Sequence, residues 1–268
     1  MSPVESALAH LGALDDLAAR DTPAARLDAR VKALATLAFV VVVASFGRAD
    51  ALRLLPLAAW PIALGALGDV PWRPVLLRLA LASPFALGVA AFEPILDRAP
   101  ALSWGGLTVS AGAVAFVTIL LKFALALSAA LVLVATTGFD AVCAGLERLG
   151  TPRLLVAQLL LLYRYLFVLA EEAARLWRAH ALRSPDRPRP SARLAATLLG
   201  QLLVRTLARA ERLHAAMRCR GFDGTMKLVR RARLSRADLA FAGATALLLS
   251  GCRLVHLPAA LSSLLAPP

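Results

Sequence analysis

Long apolar runs recur along the chain, at roughly Val31 to Phe46, Ala51 to Leu67, Val75 to Phe92, Leu107 to Ala135, Leu154 to Ala170 and Leu239 to Cys252. No soluble core of 268 residues needs so many, because a single globular domain alternates apolar and polar faces rather than repeating greasy segments of near-bilayer length. With 59% hydrophobic residues and a mean hydropathy of +0.71, lipid is the expected solvent for most of the sequence. The fold class read from this pattern is all-α: a polytopic membrane helical protein with about five transmembrane spans and two long helices in the cytoplasm.

Charge is segregated as sharply as hydropathy. The stretch from Arg175 to Arg236 holds 16 of the 30 Lys and Arg residues against three acids, Asp186, Glu211 and Asp223, and so carries the whole formal net charge of +13. Under the positive-inside tendency this stretch faces the cytoplasm. Arg26, Arg30 and Lys32 flank the first run and put the N-terminus on the same side. The leader containing Glu5, Asp15, Asp16, Asp21 and Asp28 does not read as a cleaved signal peptide. A soluble nucleic-acid binder would have no use for the apolar remainder, so nucleic acid is not an expected partner, whereas the bilayer is.

Four segments follow: a cytoplasmic N-terminal segment over 1–30, transmembrane helices over 31–137, an interfacial and cytoplasmic helical region over 138–236, and a final span with the C-terminus over 237–268. The first two runs are short for a bilayer and are expected to form a helical hairpin. Pro71, Trp72, Arg73, Pro74 and Arg78 suit an interface anchor. Glu93 to Gly106 reads as an outward loop. The fourth run carries Lys122 near its middle; a cation at that depth is a functional flag, with a partner helix or a kink as the plainer explanation.

From Thr151 the character changes. Leu154 to Leu169 continues into Glu171, Glu172, Arg175, Arg178 and Arg183 without an interrupting Gly or Pro, so one long helix runs from an apolar into an aqueous setting and ends at Ser184-Pro185. Glu171 and Glu172 are spaced to pair with Arg175. A second helix is expected from Ser191 to Arg220, stopped at Gly221 in a left-handed C-terminal turn with Phe222 as its hydrophobic companion. Each helix ends in an arginine followed by a small residue: Leu182-Arg183-Ser184 in the first, Arg218-Cys219-Arg220-Gly221 in the second. The rigid guanidinium fork suits bidentate contact with carboxylates or carbonyls in a partner's groove. Charge alone leaves a lipid-headgroup-facing surface open beside this partner-binding one.

The run Leu161-Leu162-Tyr163-Arg164-Tyr165-Leu166-Phe167-Val168-Leu169-Ala170-Glu171-Glu172-Ala173-Ala174-Arg175 and the run Ala216-Met217-Arg218-Cys219-Arg220-Gly221-Phe222 resemble the cobalt-type transmembrane component CbiQ, within the wider EcfT family of energy-coupling-factor transporters. Leu27-Asp28-Ala29-Arg30-Val31-Lys32 resembles that family's lead-in to the first span. The resemblance implies a multi-pass subunit of the cell (inner) membrane that joins a membrane substrate-binding subunit to two cytoplasmic ABC-type ATPases through two Ala-Arg-Gly-like motifs. Carried over by position, the second motif is Cys219-Arg220-Gly221, with Cys in place of Ala, and the first is Leu182-Arg183-Ser184, which keeps only the arginine. The implied cargo is cobalt, with nickel or a vitamin as alternatives; a membrane scaffold with a lipid-binding basic segment is the alternative function.

Enzyme chemistry has no foothold. There is no G-x-x-x-x-G-K-[ST] loop, so ATP is expected to bind the partner subunits and not this chain. His10, His180, His214 and His256 lack the i, i+4 spacing of a helical metal site, and Cys143, Cys219 and Cys252 are neither clustered nor even in number. No bound cofactor, metal or catalytic residue is expected.

Overall fold

The computed structural model describes residues 22–48, 50–96, 100–104, 107–183, 192–224 and 235–254. It divides into two compact units, one built from the described residues of 22–138 and 235–254, the other from 139–224. Most of the N-terminal segment, Ser184, His10 and His256 lie outside the described residues.

In the first unit, α1 spans Ala29–Ser45, with Asp28 at its N-cap accepting the Arg30 N–H at 3.0 Å. The second apolar run divides into α2 (Ala51–Leu54), a 3-10 turn (Leu55–Ala58) and α3 (Ala59–Leu67). Pro56 lies at the start of the tight turn, where its missing N–H costs little. Helix α4 covers Trp72–Ala90 and tolerates Pro84 inside it. The expected outward loop holds more structure than its Pro and Gly content suggested: a short helix α5 (Glu93–Leu96) and an antiparallel pair, β1 (Pro100–Trp104) with β2 (Leu107–Ser110), in which Trp104 registers with Leu107. The long fourth run therefore begins as a strand, and α6 starts only at Ala111, capped by the Ser110 hydroxyl, running to Thr137. Helix α10 covers Arg236–Leu254.

Among the described residues, four helices are long and apolar enough to cross a membrane: α4, α6, α8 (Arg153–Arg183, below) and α10. The first two apolar runs are shorter, as their lengths predict. Packing follows lipid logic. On α4 the buried residues include Ala86 and Ala90, while Leu81 (82% exposed) and Phe85 (77%) point outward. On α6, Gly112, Ala115, Ala129 and Ala135 are buried. Where the solvent is itself apolar, burying leucine brings no gain, and helices associate through small residues that let backbones approach and through hydrogen bonds.

Larger side chains fill the centre where α1, α3, α6 and α10 meet. Phe39 and Trp60 stack at 4.7 Å, Phe241 lies tilted at 6.5 Å from Trp60, and the Trp60 indole N–H donates to the Thr245 hydroxyl at 3.2 Å. Leu125, Ala129 and Val132 of α6 and Leu249 of α10 complete the cluster. Lys122, the flagged cation, donates from Nζ to the Phe46 carbonyl at 2.6 Å and the Ala44 carbonyl at 3.4 Å. It thus serves the unsatisfied carbonyls at the C-terminal end of α1, where a positive charge is favoured by the helix dipole. The plainer reading of Lys122, that it faces a partner helix, is the one the geometry supports. Among the described residues the deeply buried cation is Lys32, 1% exposed, whose Nζ donates to the carbonyls of Ala24 at 2.9 Å and Thr136 at 3.1 Å.

In the second unit, α7 (Phe139–Arg148) ends at Gly150, φ +102°, with the Thr151 N–H bonded to the Leu146 carbonyl at 3.1 Å, and Pro152 follows. Helix α8 then runs unbroken over 31 residues, Arg153–Arg183, and α9 covers Ala192–Cys219. Cys143, Val156 and Leu160 form the seam between α7 and α8, and Phe139 stacks on Tyr163 at 4.3 Å.

Candidate functional site

The long apolar-to-polar helix expected from Leu154 onward is α8, and its partner α9 is the expected basic helix. The two lie antiparallel: Arg183 shares a cleft with Leu194, Glu172 meets Arg205, and Leu161 shares a cleft with Met217. The crossing is pinned electrostatically. The Glu172 carboxylate receives Arg175 at 2.7 Å from its own helix and Arg205 at 2.9 Å from α9, while Glu171 lies 3.9 Å from Arg175. The within-helix pairing was readable from the i, i+3 and i, i+4 spacing. The contact with Arg205 spans 33 positions and was not.

The antiparallel arrangement sets the geometry of the two arginine ends. Arg183 closes α8 at one end of the pair, and Arg220 follows α9 at the other. At 1.5 Å rise per residue, the 28 residues of α9 separate them by about 40 Å. Arg183 is exposed, beside Leu182 at 85% exposure; Ser184, the third member of that motif, lies outside the described residues.

At the other end, Arg218, Cys219, Arg220 and Gly221 are all exposed. Gly221 has φ +77° and open space around the position of a Cβ, so the need for glycine there is conformational rather than steric. The Phe222 N–H bonds to the Met217 carbonyl at 3.0 Å and the Gly221 N–H to the Arg218 carbonyl at 3.0 Å. This pair of bonds is the Schellman motif that the Arg-Gly-Phe order predicts. It makes Arg220 the last residue before the chain reverses and projects it from the tip.

Between α8 and α9 lie clefts on both sides of the crossing. One, about 490 Å³, is lined by Arg175, His180, Arg183, Thr197, Gln201 and Arg205. Another, about 410 Å³, is mostly apolar and is closed by Met217 and Phe222. Among the described residues no group of three His, Cys, Asp or Glu could hold a metal ion. His180 and His214 line different clefts. The remaining thiol of this unit, Cys143, is buried, and that burial, with the Asp140 carboxylate as second cause, pushes it up to about 11.

A family model described as "Cobalt transport protein", CbiQ, matches residues 20–229. The chain is 36% identical over 104 residues to the cobalt transport protein CbiQ of Salmonella typhimurium, covering 38% of this chain and 46% of that protein. It is 36% identical over 98 residues to the cobalt transport protein CbiQ of Rhodobacter capsulatus, covering 36% and 40%. It is also 26% identical over 132 residues to an uncharacterised protein of Methanocaldococcus jannaschii, covering 48% and 45%. The aligned stretches thus span less than half the length of each of these relatives.

Proposed function

The chain belongs to the CbiQ family of cobalt transport proteins, and from that membership we propose that it is the transmembrane coupling subunit of an energy-coupling-factor importer whose cargo is cobalt. It is a multi-pass membrane protein. In this reading it catalyses nothing and binds neither ATP nor a cofactor. Two cytoplasmic ABC-type ATPases bind the nucleotide, and a separate membrane subunit holds the substrate.

The observation that carries the reading is the exposed Arg220, fixed at a Schellman turn about 40 Å from a second exposed arginine, Arg183, at the opposite end of an antiparallel pair. One chain thereby offers two arginine tips to two partner subunits at once. A planar guanidinium on a rigid helix end suits a bidentate contact with a carboxylate or with carbonyls in a groove. When ATP binding closes the two ATPases, their grooves approach, and the helix ends they hold are drawn together. The crossing at Glu172 and Arg205 supplies a point about which α8 and α9 pivot, and the motion passes to the substrate-binding subunit. Leu182, Ser184, Arg218, Cys219 and Gly221 shape the two tips around their arginines.

Co-purification with the ATPases and uptake of labelled Co²⁺ test the proposal. Arg220→Glu is expected to abolish both, and Arg183→Glu to weaken both. If Arg220→Glu left ATPase capture and uptake intact, Arg220 would not be the coupling residue. Parallel uptake of labelled Ni²⁺ separates cobalt from nickel as cargo.

A further inference from the structure

We propose that the apolar cleft between α8 and α9 is a binding site for an anionic phospholipid, its acyl chain against Leu162, Leu169, Leu207 and Leu213 and its phosphate at Arg209 and Arg212. The site does not depend on ATPase coupling and stands or falls separately.

The cleft has about 410 Å³, within the range of small-molecule sites. Its walls are nearly all apolar, and Leu162 (64% exposed) and Leu207 (58%) leave much of that surface uncovered by the chain itself. Tyr165 adds an amphipathic ring of the kind that favours the headgroup level. Besides the Tyr165 hydroxyl, the polar side chains of the lining are Thr206, Arg209 and His214.

Arg209 also lines an adjoining cleft of about 370 Å³ together with Arg205 and Arg212. The three arginines are spaced by four and three residues, so they form one stripe along α9. Arg205 is already committed to Glu172 at 2.9 Å. Neither Arg209 nor Arg212 forms an ion pair with another described residue. The occupant that fits is therefore apolar along its length and anionic at one end. A free phosphate would satisfy the arginines and leave the leucines in water; a zwitterionic lipid would fill the cleft and leave the arginines without net compensation. Basic pockets beside membrane helices select anionic headgroups on these grounds, each cation adding attraction to a negatively charged leaflet.

The test uses the full chain in nanodiscs containing equal dioleoyl-phosphatidylglycerol and dioleoyl-phosphatidylcholine, with retained lipids counted by native mass spectrometry after release. The expected result is at least one phosphatidylglycerol held through washing in preference to phosphatidylcholine. Arg209→Gln with Arg212→Gln should lower that preference roughly tenfold. Leu213→Trp, which plugs the cleft, should lower retention of both lipids. Equal retention of the two lipids by the wild-type chain overturns the proposal, and so does a double variant that keeps the preference. A photo-crosslinker at position 213 that captures a protein subunit instead of lipid also overturns it. The wild-type comparison needs no variant and decides the matter even where a substitution prevents folding.

Discussion

The backbone N–H of Asp28 donates to a carboxylate oxygen of Asp238 at 2.7 Å, joining the first turn of α1 to the first turn of α10 across 210 positions of sequence. The second carboxylate oxygen of Asp238 accepts the Ser235 N–H at 2.7 Å, one half of a capping box at the start of α10. Asp238 is 1% exposed, so both donors lose their only described acceptor if the carboxylate is removed. Asp238→Ala should cost about 2 kcal/mol, the scale for orphaning a buried donor and losing a cap, and Asp238→Asn, which keeps one acceptor oxygen, should cost less. Thermal unfolding in detergent measures both; an alanine variant that melts with the wild type would contradict this.

The two lysines of the first unit should separate by depth. Lys32→Met removes the described side-chain donor to the buried Thr136 carbonyl and leaves the Ala24 carbonyl with the Leu27 N–H at 3.3 Å alone, and should cost roughly 2–3 kcal/mol. Lys122→Met withdraws a cation from a helix C-terminus and should cost about 1 kcal/mol. The same melting assay ranks them, and the reverse order would show that Lys122 does more than finish α1.

A third expectation concerns thiol chemistry. Cys219 is exposed, whereas Cys143 is buried with its thiol pushed up to about 11. At pH 8 only about one Cys143 in a thousand would be thiolate, because its pKa lies about three units above the pH. N-ethylmaleimide at that pH should label Cys219 within minutes and spare Cys143 in the folded chain, as peptide mass mapping would read. Cys143→Ser should not change the labelling stoichiometry.

Two glycines should respond oppositely to an added methyl group. A Cβ at Gly68 would overlap the Thr136 side-chain methyl, while one at Gly88 meets nothing within 4 Å. Gly68→Ala should destabilise by about 1–3 kcal/mol through overpacking. Gly88→Ala, inside α4, should be neutral or stabilise by up to about 1 kcal/mol, since alanine is the better helix former. Expression level and melting temperature of the pair check this.

How much of this was legible in the sequence depends on range. The unbroken α8 and the stop at Gly221 follow from local rules, because a helix end is decided by residues within a turn of it. The pairing of Glu172 with Arg175 follows from the same locality. Contacts that close over long range could not be read: Asp28 to Asp238, Lys32 to Thr136 and Glu172 to Arg205 each require knowing which helices meet. Lys122 drew notice because charge in an apolar run is conspicuous, and its partners proved to be backbone carbonyls, which carry no signature in sequence. The β1–β2 pair was missed because a Pro- and Gly-rich composition is as compatible with a tight hairpin as with an open loop.

Helix α9 has no buried residue along its 28 positions. Apart from the seam with α8, where Arg205 meets Glu172, most of its side-chain surface is open to partners outside the chain. A random mutagenesis screen would find its separation-of-function alleles here: variants that accumulate to normal levels in the membrane and yet fail to transport. Inactive alleles in α1 or α6 should instead fall mainly among proteins that never accumulate.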